Sequence, residues 1–279
     1  MVLQEETTMR IVSLAPSNTE ILYALGVGDQ IVAVTDHCDY PAAAKMKPKV
    51  GGWARIDDEL VKMYKPDLVL TSTVVQHTAP TRYKLQGLNV LHVDPRTIDE
   101  VFESWITIGK SVGKEKEAKK LVVYTKKKTS HFELRTSNFA YHPRLYCEEW
   151  HAPPMVSGNW VRDLALLAGT DYSLVKIGQI SRAVTTQEIQ TYDPEIIIIN
   201  ICGAGKKAKK WIVTKRPGWE DLSAVKTGEV WVIDDSLLNR PGPRILLGLR
   251  ALAHLVTRYP RRVSRLRFLH FLTSPPLAQ

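Results

Sequence analysis

Two stretches of this chain carry the same instruction. Residues 59–70 line up with residues 187–198, and each ends a helical pattern at Tyr-(Lys/Asp)-Pro-(Asp/Glu) before an apolar run of strand length. Pro66 and Pro194 have no amide hydrogen to continue a helix, and each forces the residue before it out of the helical region. The chain must therefore leave the helix and enter an extended run at once. A helix feeding directly into an apolar strand is the building unit of a parallel sheet covered on both faces. Two copies predict two lobes of one architecture.

The rest of the sequence fits that frame. Short apolar runs at Ile11–Leu14, Ile31–Val34, Leu68–Leu70 and Val90–Val93 alternate with helical segments, at Thr19–Leu25 (Ser17 as N-cap, Glu20 as its capping-box partner) and at Asp57–Tyr64. From Ile98 to about Phe132 the apolar spacing is helical and lysines and glutamates fill the other positions, which predicts one long helix weakened at Gly109 and Gly113. Strands at Arg144–Cys147, Glu195–Ile199 and Val230–Ile233 then resume the alternation. The expected fold is α/β, with two Rossmann-like lobes bridged by one long helix. The expected boundaries are 1–96, 97–132, 133–257 and a basic C-terminal extension at 258–279.

Open α/β sheets bind ligands at the carboxyl ends of their strands. Asp36-His37-Cys38-Asp39-Tyr40-Pro41 follows the strand Ile31–Val34, and Gly51-Gly52-Trp53 follows soon after. Tyr40 and Trp53 offer broad, stiff apolar surface and are expected to touch a ligand; a core plug is the alternative for Trp53. Glu148 to Pro154 is expected to be a second-lobe loop, with Trp150 on the ligand side and Glu149 and His151 hydrogen-bonding ligand groups or water. Trp160 opens a helix, and ligand contact and core packing are equally open for it. His37, Cys38 and Cys202 stand at strand ends, where a transition metal finds soft ligands, or where cysteines pack as small apolar residues.

The formal charge is +9, from 38 Lys+Arg and 29 Asp+Glu. The lysines are spread along helical faces, Lys206, Lys207, Lys209 and Lys210 among them, and no nucleic-acid motif accompanies them. Three widely spaced cysteines give neither a disulfide framework nor a metal signature. No apolar run approaches the ~20 residues of a membrane helix, so no integral membrane protein is expected. Met1 to Glu6 has no export-signal pattern, so a cytosolic site is expected as the chain is written, and a periplasmic or cell-surface one where a signal has been removed. No GxSxG, HExxH or paired-carboxylate pattern occurs, so no enzyme is expected.

The motifs at 10–21, Asp39-Tyr40-Pro41, Gly52-Trp53, Lys65-Pro66-Asp67-Leu68 and Pro243-Arg244 resemble, in order, those of the helical-backbone periplasmic binding proteins. The resemblance covers residues 10 to about 257 and is nearest to the cobalamin-binding, BtuF-like branch. With Cys147 to Met155, Gly158-Asn159-Trp160 and Cys202-Gly203, it points to a subgroup without an export signal. It implies two lobes with the ligand in the cleft between them, and a corrinoid such as cobalamin as that ligand. A ferric siderophore, haem or a metal ion in the same cleft is one alternative, and a cysteine-dependent corrinoid-handling factor another. The resemblance further implies that Arg240 and Arg244 line the cleft. It also implies that Glu59 docks on an ABC transporter permease. The matching second-lobe register holds Gln187, with Glu188 beside it as the candidate for the second docking acid.

Overall fold

A computed structural model describes residues 8–136 and 139–273 of the chain. The readings made on Met1 to Glu6 and on 274–279 lie outside the described residues. The chain divides into two compact units. One runs through Lys126 and takes in Arg240–Pro243; the other comprises Lys127–Asn239 and the chain from Arg244.

The first unit holds β1 (Ile11–Ser13), β2 (Ile31–Val34), β3 (Leu68–Ser72) and β4 (Val90–Val93), in the order β2-β1-β3-β4 and all parallel. One core cluster joins Val12, Leu14, Ala33 and Val69 of the sheet to Val50, Val61, Ala79 and Tyr83. The second unit holds β5 (Leu145–His151), β6 (Pro154–Val156), β7 (Arg182–Ala183), β8 (Ile196–Ile199) and β9 (Val230–Val232), in the order β7-β6-β5-β8-β9. The strands β5, β8 and β9 are parallel, and β6 and β7 add an antiparallel edge. Ile196 to Ile199 are all buried, as a strand covered on both faces requires. No described helix is long and apolar enough to cross a membrane.

The repeated motif is built the same way twice. Lys65 and Asp193, each just before the proline, take left-handed backbone at φ 44°. Arg10 and Arg144, each just ahead of a strand, reach back to this corner. The Arg10 Nε donates to the carbonyls of Tyr64 and Lys65 at 3.0 and 3.2 Å. The Arg144 Nε donates to the Asp193 carbonyl at 2.8 Å. The backbone N–H of each arginine binds the carboxylate after the proline, Asp67 at 2.7 Å and Glu195 at 3.2 Å. In return the Arg10 carbonyl accepts from Asp67 and Leu68, and the Arg144 carbonyl from Glu195 and Ile196. Carbonyls orphaned at a helix end thus find a fixed cation.

Several local readings are corrected. The run 98–132 is two helices, Ile98–Ser111 and Glu115–Thr136, because Gly113 turns left-handed at φ 69°. Ser17 caps nothing: the first helix is Pro16–Ala24, with Pro16 in its first turn and Ala15 as N-cap. The segment 148–154 is a hairpin rather than a loop. Its strands run to His151 and from Pro154, where a proline at a strand start is tolerated. The boundary expected at 257/258 falls inside the helix Ile245–Thr273.

Gly109 gives a sharp test of the helix break. A Cβ there would lie 2.5 Å from Ala118 Cβ and 2.9 Å from the Lys114 carbonyl oxygen. Helix propensity alone has Gly109→Ala stabilising by ~1 kcal/mol, whereas the close approach of the two helices predicts a loss of about 1–2 kcal/mol. Urea unfolding decides the sign.

Candidate ligand-binding site

In the first unit the loop after β2 is pinned from beneath. Asp36 N–H donates to the Gly51 carbonyl at 2.9 Å, which ties this loop to the one carrying Trp53. Cys38 is 1% exposed, and its thiol lies 3.2 Å from Thr19 Oγ1 and 3.3 Å from Thr35 Oγ1. Burial raises the pKa of that thiol, against the smaller lowering by Thr19, Thr35 and Lys49. Arg240 sits across the loop. Its Nη1 reaches Asp39 at 2.6 Å and buried Glu20 at 3.2 Å, and Nη2 donates to the His37 carbonyl at 3.3 Å. Burial opposes its charge, but the bonds and charges of Asp39 and Glu20 outweigh that and raise its pKa. Arg240 therefore holds the loop in place, and Tyr40 is presented at 48% exposure.

Trp53 is half-buried, and its carbonyl accepts from Gln76 Nε2 at 3.0 Å. Gln76 also donates to the Leu14 carbonyl at 2.7 Å and accepts from Ser72 N–H at 2.8 Å. One buried amide thus links the carboxyl ends of β1 and β3 to the tryptophan loop. It follows Thr73, which holds a left-handed φ of 61°. Gln76 escaped the sequence reading. Its signal was the polar run after the strand Leu68–Ser72, the same placement that drew attention to residues 36–41. The Trp53 indole N–H is buried without a hydrogen-bond partner, as is Asn18 Oδ1.

In the second unit the β5–β6 hairpin carries the site residues. Trp150 is 43% exposed and its ring lies 5.8 Å from that of His151, itself exposed. The Trp150 Nε1 donates back to the Ala152 carbonyl at 3.1 Å and fixes the indole over its own turn. Beneath lies a buried ion pair that the sequence did not disclose. Glu148 is fully buried and takes Arg216 Nη1 and Nη2 at 2.6 and 2.7 Å, with the Tyr146 hydroxyl donating at 3.0 Å. Breaking such a pair strands a charge and costs ~3–5 kcal/mol. Glu149, half-buried beside Ser157 and Ser181, has its pKa raised to about 6 because burial outweighs the hydrogen bonds from those serines.

Trp160 is 3% exposed and its Nε1 donates to the Leu238 carbonyl at 2.7 Å, so it is core. Arg244 lies in the second unit, where its carbonyl accepts from Leu247 N–H at the start of the last helix. Glu59 is exposed, and its carboxylate pairs with Lys62 at 2.8 Å. Glu188 is committed to Arg182, whose hydrogen bond lowers its pKa. Among the described residues no three His, Cys, Asp or Glu side chains gather to hold an ion. Cys202 accepts from Asn239 Nδ2 at 3.1 Å, and burial pushes its pKa and that of Cys147 up to about 12. Burial thus raises the pKa of all three thiols, Cys38 included.

Residues 11–237 match the family model of the periplasmic binding proteins. The chain belongs to this family. It is a substrate-binding protein and not an enzyme. An uncharacterized ABC transporter substrate-binding lipoprotein of Bacillus subtilis, YvrC, is 33% identical over 90% of this chain and 80% of its own length. A vitamin B12-binding protein of Vibrio cholerae is 25% identical over 85% of both chains. Among solved structures, the periplasmic vitamin B12 binding protein of Vibrio cholerae matches with a TM-score of 0.75 at 22% identity, covering 90% of this chain and 97% of that one. A possible iron-binding (periplasmic solute-binding) protein of Staphylococcus epidermidis matches at 0.73 and 29% identity, covering 88% and 98%. The two-lobed α/β fold expected from the sequence is the fold of these proteins.

Glu149 predicts a pH effect of defined sign. Its carboxyl keeps its proton to higher pH in the folded chain than in the unfolded one, so the folded state binds more protons between the two pKa values. Stability is then lost as pH rises from the ordinary carboxylate range, about 4.3, to about 6. Glu149→Gln removes that loss. Denaturant unfolding across this range is expected to show the stability of the variant relative to the native chain rising with pH and levelling off above about 6.

Proposed function

We propose that this protein captures a corrinoid such as cobalamin and delivers it to an ABC importer. The observation that carries the reading is the pair of joined loops in the first unit. They present Tyr40 at 48% exposure beside the Trp53 loop, held by Arg240 and Gln76. A flat macrocycle needs broad apolar contact from side chains that lose little entropy, and aromatic side chains supply it. In the second unit Trp150 adds a further aromatic surface, with His151 and Glu149 as hydrogen-bonding groups. The vitamin B12-binding relative, similar over 85% of both chains, supports the corrinoid. The transporter named for the Bacillus relative supports the importer, for which exposed Glu59 is the docking acid. One named relative is a lipoprotein and the Vibrio structure is of a periplasmic protein, which supports a site of action outside the cytoplasm.

The second reading, a ferric siderophore or haem on the same residues, draws on the possible iron-binding relative. Absorbance titration separates the two. Saturable perturbation of the corrin bands is expected with cobalamin, and Tyr40→Ala and Trp53→Ala are each expected to weaken binding about tenfold, ~1.4 kcal/mol. Trp160→Phe is expected to lower stability and leave affinity unchanged. Saturation by haemin or a ferric chelate with none by cobalamin would establish the second reading instead.

A further inference from the structure

The segment after β8 carries a feature that ligand capture does not use. Lys206, Lys207, Lys209, Lys210 and Lys215 are all exposed, and among the described residues none of these ammonium groups pairs with a carboxylate. Trp211 stands in their midst at 60% exposure. This is no loose strand of chain. Asp235 takes Gly203 N–H at 2.9 Å and Gly205 N–H at 2.7 Å and so fixes the start of the segment. Val213, fully buried, anchors the short helix Trp211–Thr214 and leaves Trp211 on its outer side. Lys210 lies 4.5 Å over the ring of half-buried Trp231. A tethered turn therefore displays one exposed indole flanked along the chain by five exposed lysines.

We propose that this turn is a docking surface for an anionic lipid bilayer. The chemistry favours a bilayer over a specific protein acid. Ammonium groups on flexible stems are point charges without the rigid fork that selects a single carboxylate. The guanidinium of Arg216, next in the chain after Lys215, is turned inward onto Glu148 at 2.6 Å. Diffuse negative potential at a lipid surface attracts lysines collectively, and the indole is a side chain that settles at the headgroup level. The inference is independent of which ligand the protein carries.

The test is sedimentation of the full chain with unilamellar vesicles of phosphatidylcholine alone or mixed with phosphatidylglycerol. Binding is expected only to the anionic vesicles and is expected to fall as salt rises. Changing Lys206, Lys207, Lys209 and Lys210 to Glu is expected to reduce partitioning at least tenfold, and Trp211→Ala several-fold. Changing Lys84, Lys116, Lys120 and Lys127 to Glu alters the net charge equally and is expected to cost much less. Lys→Gln at the same four positions serves if the Glu variant does not fold, judged by circular dichroism. No binding to anionic vesicles overturns the proposal. So does binding that survives the 206–210 variants, which would assign it to the arginines at 258–267. Equal binding to soluble polyglutamate would assign the turn to an acidic polymer instead.

Discussion

The contact on which both units depend is an arginine closing the corner between a helix and a strand. Arg10 and Arg144 each stand ahead of a sheet's leading strand. Each donates to carbonyls at the end of a neighbouring helix, and each is tied by its own backbone to the acid after the proline. A helix that ends at a proline leaves carbonyls without intrahelical partners. The arginine supplies such a partner, at a solvent-facing corner in the first unit and a part-buried one in the second, beside the pairing of β3 with β1 and of β8 with β5. Gln76 follows the carboxyl end of β3, and Glu148, within β5, lies beside Ile199 at the carboxyl end of β8.

From those ends the site is built outward by polar groups that are themselves buried. Gln76 and Arg240 do for the first unit what the Glu148–Arg216 pair does for the second: each holds a loop or hairpin that carries an aromatic side chain, exposed for Tyr40 and Trp150 and half-buried for Trp53. Tyr40 and Trp150 can remain at about half exposure because their backbones are fixed from below. Contact area presented on a pre-ordered backbone loses less entropy on binding than the same area on a mobile one. Arg240, expected as a ligand contact, serves this supporting part through Asp39 and Glu20.

Periodicity and punctuation made the architecture legible, because Pro66 and Pro194 each force a helix into a strand. What stayed hidden depends on contacts between residues distant in sequence. Nothing local marks Arg10 for its contact with the Tyr64 and Lys65 carbonyls, and the Gln76 amide acquires its role only when β1 and β3 are side by side. Trp160 shows the reverse limit, since an indole at a helix start looks the same whether it faces a ligand or the Leu238 carbonyl. Gly113 was flagged as a weak point, yet the break follows from its left-handed backbone and from the close approach at Gly109, neither of which composition encodes. Two prolines in succession suggested a loop, although one of them begins a strand.

The central claim is that the pinned aromatic loops are where a corrinoid is held. A crystal structure of the protein grown with cobalamin tests it most directly. The account predicts the corrin against Tyr40 and Trp53, with Arg240 still bound to Asp39 and Glu20. A corrin found away from both aromatic side chains, or an Arg240 released from its carboxylates to bind the ligand, would contradict it.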